Sequence, residues 1–531
     1  MRTRLPSAVC GALSLPFVLA SSVYAAQAQP TVYAAYVLLA ESPSGQTVAF
    51  ARAIVGPDQS CPALVGAGGA RVAMTPRRNP HGFAVKVCEA RYPFETSLTV
   101  EGGPKLPAVI AAPSRIAVLG DSGCKPKDQE GCGLDDPQWP LPALARAAAA
   151  SRPDLVLHVG DYNYRGTPSG FKTTVAGQPV QQWYYDAGDG ATPAEQCGIP
   201  GPYYSQNSKG NPDADTWEAW WLDFFQPAGD LLTAAPWVFT RGNHELCSHA
   251  GPGWFYFLDA SSDLPEGGGR QLACPSQDGA GPALPHLQFV EPQVLHLGDL
   301  DLLVIDSANA CDQLPGFTDV YRRQLTAAAG RLRGHKAWLM THRPIWGIDG
   351  AGSTLYGCDG QPESGPTLPY GELNQTLQCA LRGEAGKALL PAIDQMIAGH
   401  MHRFEALSFA APARRPPVLI VGNSGVVEET GPPNGAFAQT VDGAPAAGFS
   451  VLQFGYLELA RDGGEWHGSV VTVDPAAWSP FLAPCAPGAV DQALCVKPAL
   501  SPAGSRGGST ASPATEGRIA FFAARGDGGW E

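Results

Sequence analysis

The chain has 531 residues, too many for one ordinary hydrophobic core, so two folded units with tails are expected. A formal charge of −14 excludes nucleic acid and anionic membrane surfaces as natural partners. An anionic ligand would have to be drawn by local positive charge.

Taken in chain order, residues 1–28 read as an export signal. Arg2 and Arg4 precede the apolar run Val9–Ala20, and Ala26-Gln27-Ala28 offers a small-x-small cleavage site, with Val23-Tyr24-Ala25 competing. Cleavage would remove two arginines and no acid, taking the formal charge from −14 to −16. Cys10 would leave too. The mature chain would keep twelve of the 13 cysteines, an even number that suggests disulfides in an exported, periplasmic or secreted protein. Sequence proximity suggests the pairs 61–88, 124–132, 358–379 and 485–495. No CxxC pair occurs, which argues against a thiolate zinc site.

Residues 29–112 alternate short apolar runs (Thr31–Leu39, Thr47–Val55, Phe83–Val87) with turn residues, which predicts a small β-rich accessory domain. From Arg115 the pattern becomes α/β. Buried-strand runs at Ile116–Leu119 and Leu155–Val159 alternate with helical stretches at Leu141–Ala150 and Tyr321–Arg333. A helix is expected over Asp215–Leu232, a hairpin over Val294–Ile305 turning at Gly298-Asp299, and closing strands at Phe449–Leu459 and Ser469–Val473. Residues 166–213 form a Gly/Pro/Tyr-rich insertion. Its aromatic residues, with Trp217–Trp221, read as core packing, because Lys172 and Lys209 are the only basic residues among them, too few for a base-stacking surface. The resulting division is 1–28 signal, 29–112 accessory domain, 113–480 catalytic domain and 481–531 a C-terminal extension with a flexible Ser/Pro/Gly/Ala tail.

Five segments carry the chemistry, each a loop that follows an apolar strand-like run. They are Gly120-Asp121-Ser122-Gly123, Gly160-Asp161-Tyr162-Asn163-Tyr164, Gly242-Asn243-His244-Glu245, Thr341-His342-Arg343 and Gly399-His400-Met401-His402. In open α/β sheets, sites gather beyond the carboxyl ends of strands, so the five can converge. Carboxylates, imidazoles, an amide oxygen and a phenol suit a pair of mixed hard and borderline cations, and a shared carboxylate can bridge them. A phenol ionises near pH ~10 in water, so Tyr164 would need a highly charged metal to bind as phenolate. Taken alone, Asp121 would be a turn residue, Tyr164 a packed aromatic and His342 a strand-end histidine. His158 reads as a packed neighbour, His249 as a surface residue and Glu245 as a local hydrogen-bonding partner.

These blocks, in this order, resemble the metallophosphoesterase (calcineurin-like) superfamily, and within it the purple acid phosphatases. Their pattern is GDxG, GDxxY, GNH[ED], a strand ending in His, and GHxH, spanning roughly 115–403 here. The resemblance implies a four-layer α/β sandwich, two mixed β-sheets flanked by helices. It implies iron(III) held by Asp121, Tyr164 and His402, and divalent iron, zinc or manganese held by Asn243, His342 and His400, with Asp161 bridging. It further implies in-line hydrolysis of a small phosphate ester by metal-held hydroxide, phosphomonoesters before diesters. His244 would hold the substrate or protonate the leaving oxygen, and Arg343 is a candidate phosphate contact. The family's further histidine after the fourth block has no counterpart between Trp346 and Gly360, so Asp349 within that stretch or Arg343 just before it would have to serve. Gly160–Gly166 also resembles the GDYVDRG of serine/threonine protein phosphatases, but Gly123 and Tyr164 replace two ligands of that group. Two alternatives stay open: a manganese or zinc phosphodiesterase with Tyr164 unligated, and a secreted binding protein on the same fold.

Overall fold

The computed structural model describes residues 32–124, 139–164, 215–247, 249–274, 288–312, 317–334, 336–349, 374–410, 415–426 and 434–472, with short pieces at 134, 172–175, 178–181, 315, 357–359, 371–372, 413, 432 and 517–522. The expected export signal, the body of the 166–213 insertion and most of 481–531 lie outside these residues.

Two sheets carry the molecule. The first runs in the order Gly517–Phe522, Glu465–Thr472, Gly455–Asp462, Arg115–Leu119, Leu155–His158, Trp237–Phe239, Val32–Glu41, Thr47–Val55, Lys86–Tyr92, Thr75–Pro76. The second runs Gln293–Leu297, Leu300–Val304, Lys336–Met340, Gln395–Ala398, Val418–Val421, Phe404–Phe409, Ala444–Val451, Gly435–Val441. Both are mixed. Parallel ladders at their centres join Arg115–Leu119, Leu155–His158 and Trp237–Phe239 in one, and Leu300–Val304, Lys336–Met340, Gln395–Ala398 and Val418–Val421 in the other.

The central strands are short and apolar on both faces because both faces are covered. Val118, Leu157 and Val238 of the first sheet pack with Leu302, Met340, Ile397 and Val421 of the second in one core. The outer face of the first sheet carries Leu141–Ala150, the 217–225 segment and Gly251–Phe257. The outer face of the second carries Thr318–Ala329, Gln375–Leu381 and Glu384–Leu389. This is helix, sheet, sheet, helix: the α/β sandwich with a β-rich N-terminal region.

Several elements differ from their sequence reading. The helix expected over Asp215–Leu232 is broken into Trp217–Trp220, a wider π turn over Trp221–Phe225, and Gly229–Leu232. The closing strand expected at Phe449–Leu459 is two strands, Ala444–Val451 in the second sheet and Gly455–Asp462 in the first. The 29–112 region is β-rich: Val32–Glu41, Thr47–Val55, Lys86–Tyr92 and Thr75–Pro76 extend the first sheet, Val32–Glu41 pairing in parallel with the strand Trp237–Phe239 at Leu38 and Trp237, while Ala63–Val65, Arg71–Ala73 and Thr99–Val100 form a small sheet of their own. Nine consecutive buried or half-buried positions from Ala34 onward are what an interior strand requires.

Buried arginines bind this region to the rest. The Arg52 guanidinium donates to the carbonyls of Phe257 (2.7 Å) and Asp259 (2.6 Å). Arg77 donates to those of Phe255 (3.1 Å), Tyr256 (3.2 Å) and Ser261 (2.8 Å), and to Glu89 (2.7 Å). Together they satisfy the carbonyls that the helix Gly251–Phe257 leaves open at its end. Disulfides join Cys61–Cys88 and Cys358–Cys379, as proximity suggested, and also Cys247–Cys274, which it did not. The suggested pairs 124–132 and 485–495 involve cysteines outside the described residues. Among the described residues, no helix is long and apolar enough to cross a membrane.

Candidate metal centre

The five sequence blocks meet where the carboxyl ends of the two sheets adjoin. Arg115–Leu119, Leu155–His158 and Trp237–Phe239 deliver Asp121, Asp161 and Asn243 from the first sheet. Lys336–Met340 and Gln395–Ala398 deliver His342, His400 and His402 from the second. Sharp turns off the strands put Asp121, Asp161 and His400 at φ +53°, +58° and +72°, a region L-residues seldom adopt. The space is tight: a Cβ on Gly242 would lie 2.0 Å from Asp161 Oδ1, so only glycine lets that loop approach.

Backbone bonds lock the loops to one another. Asp121 N–H donates to Gly160 O (2.9 Å) and Ser122 N–H to Asp161 O (3.0 Å). Glu245 accepts four backbone N–H groups, from Asp161 (3.0 Å), Tyr162 (2.8 Å), Asn163 (3.2 Å) and Gly242 (3.0 Å). It is thus a local hydrogen-bonding partner, as expected, and shapes the backbone of the two loops that carry Asp161 and Asn243. Ser122 Oγ lies 2.8 Å from His158 Nε2. Burial pushes the His158 pKa down to about 3, so this ring is a neutral packing element stacked 4.1 Å from Tyr162.

Asp161, His342 and His400 form one group whose candidate ligand atoms all lie within 4.8 Å of one another, and Asp121, Asp161 and His402 form a second. Asp161 belongs to both. Around the second group, the Tyr164 hydroxyl lies 3.1 Å from Asp121 Oδ1, 3.1 Å from Asp161 Oδ2 and 3.0 Å from His402 Nε2. Burial, then the charges of Asp121 and Asp161, push the Tyr164 phenol well above its ordinary range, so it stays protonated unless a cation offsets those charges.

The protonation of His342 tests whether these residues fit a cation. Its Nδ1 faces the Val159 carbonyl at 2.7 Å, and a carbonyl only accepts, so Nδ1 carries the proton. Burial lowers the His342 pKa against the pull of Asp161, favouring the neutral ring. The Nε2 lone pair then faces Asn243 Oδ1 at 2.9 Å and Asp161 Oδ1 at 3.3 Å. Three lone-pair atoms meet with no proton among them, an arrangement that repels without a positive ion and suits one.

His244 borders the centre, its Nε2 3.9 Å from Asp161 Oδ2 and its ring 4.2 Å from that of Tyr164, with the side chain 15% exposed. His249, expected on the surface, is buried, with Nδ1 against the His244 carbonyl. Arg343 is buried beside His400, Nη1 to Nε2 3.1 Å, and pairs with Asp312. The side chain of Asp349 lies outside the described residues.

Two contributors had no sequence signal. Asp312, on the irregular stretch after Leu300–Val304, reaches His400 Nε2 at 2.9 Å. Burial opposes its ionisation, but the charge of Arg343, with hydrogen bonds from His400 and Asn374, prevails and holds its carboxyl well below the usual range. A sixth strand-end loop, Gly422–Gly425, supports Asp121: Ser424 N–H donates to Gly120 O (3.1 Å) and Val426 N–H to Asp121 O (3.0 Å).

Two stacked mixed sheets whose strand ends present buried Asp, Asn, His and Tyr side chains around adjoining cation-sized groups define a metal-dependent hydrolase architecture. The family model for calcineurin-like phosphoesterases matches residues 114–404, and the chain belongs to that family. It is therefore a metal-dependent phosphoesterase. A search of curated proteins returned no match.

Proposed function

We propose that the protein is an exported phosphomonoesterase of the purple acid phosphatase kind. Asp121, Tyr164 and His402 would hold iron(III), Asn243, His342 and His400 would hold divalent iron, zinc or manganese, and Asp161 would bridge. The observation that carries this reading is the Tyr164 hydroxyl, which lies within 3.1 Å of Asp121, Asp161 and His402 together. When bound, the two ions supply an activated water and positive charge against the phosphate.

The protein's own groups do the rest. Asp161 sits between the two clusters and receives the His244 backbone N–H at 3.0 Å, which fixes its carboxylate. The His244 imidazole, at the exposed edge, holds the ester or gives a proton to the leaving oxygen. Arg343 sets a guanidinium beside His400, where it offsets phosphate charge. Glu245 keeps the 161–163 and 242–245 backbones in register, so the ligands stay aimed. Three disulfides among the described residues fit an oxidising compartment, which supports export through the 1–28 leader.

The raised Tyr164 phenol favours one rival: a manganese or zinc phosphodiesterase in which Tyr164 stays protonated. Turnover of p-nitrophenyl phosphate against its bis ester, with a visible spectrum, separates the two. Monoester preference with a tyrosinate-to-iron band supports the proposal. Colourless protein that favours the bis ester supports the rival.

A further inference from the structure

Asp312 belongs to none of the five blocks, yet it is the carboxylate against His400. Its position is over-determined. Oδ1 accepts from Asn374 Nδ2 at 2.9 Å, and Oδ2 faces both Arg343 Nη1 and His400 Nε2, the latter at 2.9 Å. Asn374 is itself fixed, because its Oδ1 accepts the Leu377 N–H at 2.8 Å and caps the helix Gln375–Leu381. That assigns its Nδ2 as the donor to Asp312. Arg343 is buried, so the carboxylate cannot swing away without stranding a guanidinium charge.

His400 has two ring nitrogens and, when neutral, one proton. A guanidinium only donates and a carboxylate only accepts, so the close carboxylate oxygen is the partner for an Nε2–H. We propose that Asp312 is a positioning residue of the candidate centre: it accepts the Nε2 proton of His400, fixes the ring, and leaves the Nδ1 lone pair for a cation at the Asp161–His342–His400 group. His342 uses the opposite tautomer, anchored through Nδ1 to Val159. The two histidines of one group are therefore oriented by different partners, a neutral carbonyl for His342 and an ionised carboxylate for His400.

This inference rests on the dinuclear reading above, and the test separates the two. Full-length protein is stripped with a chelator and titrated calorimetrically with zinc ions alone, as wild type, Asp312→Asn and Asp312→Ala. Wild type should take up two ions. In Asp312→Ala one of the two should bind about 10–100-fold more weakly while the other is unchanged. Asp312→Asn retains an acceptor for Nε2–H and the shape of the site, and should fall between them. A merely structural role would weaken both ions together, so equal weakening of both in Asp312→Asn overturns the proposal, as does wild-type affinity for both ions in the two variants. Wild-type protein that takes up no metal overturns the dinuclear reading itself.

Discussion

The Nδ1 of His342 faces the Val159 carbonyl at 2.7 Å, which aims its Nε2 at Asn243 Oδ1, 2.9 Å away. A strand-end histidine of the second sheet is thereby oriented by the backbone of the first. The seam between the sheets and the candidate centre are one feature.

Asn243→Ala removes one of the atoms around His342 Nε2 and touches little else. Loss of a residue that only orients a ligand costs about 10–100-fold, so loss of a proposed ligand should exceed about 100-fold in kcat/KM for p-nitrophenyl phosphate. Undiminished hydrolysis would favour a catalytic site elsewhere.

Glu245→Gln keeps shape but turns an N–H₂ group toward backbone donors now satisfied by carboxylate oxygens. An unsatisfied buried group costs about 1–3 kcal/mol, so the midpoint of urea unfolding should fall accordingly. Activity should fall as well, because both ligand loops lose their shared anchor.

Arg77→Ala leaves Glu89 without its closest cation and frees three carbonyls at the end of Gly251–Phe257 and beyond. Both partners are buried, so the loss should be about 3–5 kcal/mol in urea unfolding. By the same argument, a chain lacking residues 1–112 should fail to fold, because its first sheet would present an open edge at Trp237–Phe239.

Asp215 is half-buried, accepting from Trp220 Nε1 at 2.6 Å and Gly253 N–H at 2.9 Å. Burial raises its pKa to about 7 in the folded protein. Unfolded, an aspartate titrates near pH ~4, so between the two values the native state holds the extra proton. Stability from this group is therefore full below pH ~4 and is lost as pH rises toward neutrality, a change on the order of a few kcal/mol. Asp215→Asn should flatten that slope in thermal melts taken from pH ~4 to ~7, whatever its effect on absolute stability.

The five candidate blocks stood out in the sequence because each sets a polar, ligand-type residue just after an apolar run, four of them with a glycine between, a local pattern. The hairpin at Gly298-Asp299 and the helix Leu141–Ala150 were legible for the same reason. Asp312 was not, because its meaning comes from a contact with a residue 88 positions away. Nor was the sharing of a sheet by Val32–Glu41 and Trp237–Phe239, since pairing partners of an interior strand leave no mark on its composition. The disulfide Cys247–Cys274 has the same separation, 27, as Cys61–Cys88, so spacing alone could not rank them.

Metal content of the purified protein tests the central claim most directly. Two transition-metal ions per chain, including iron with a visible band that disappears in Tyr164→Phe, is the predicted result. Fully active protein free of bound metal would contradict it.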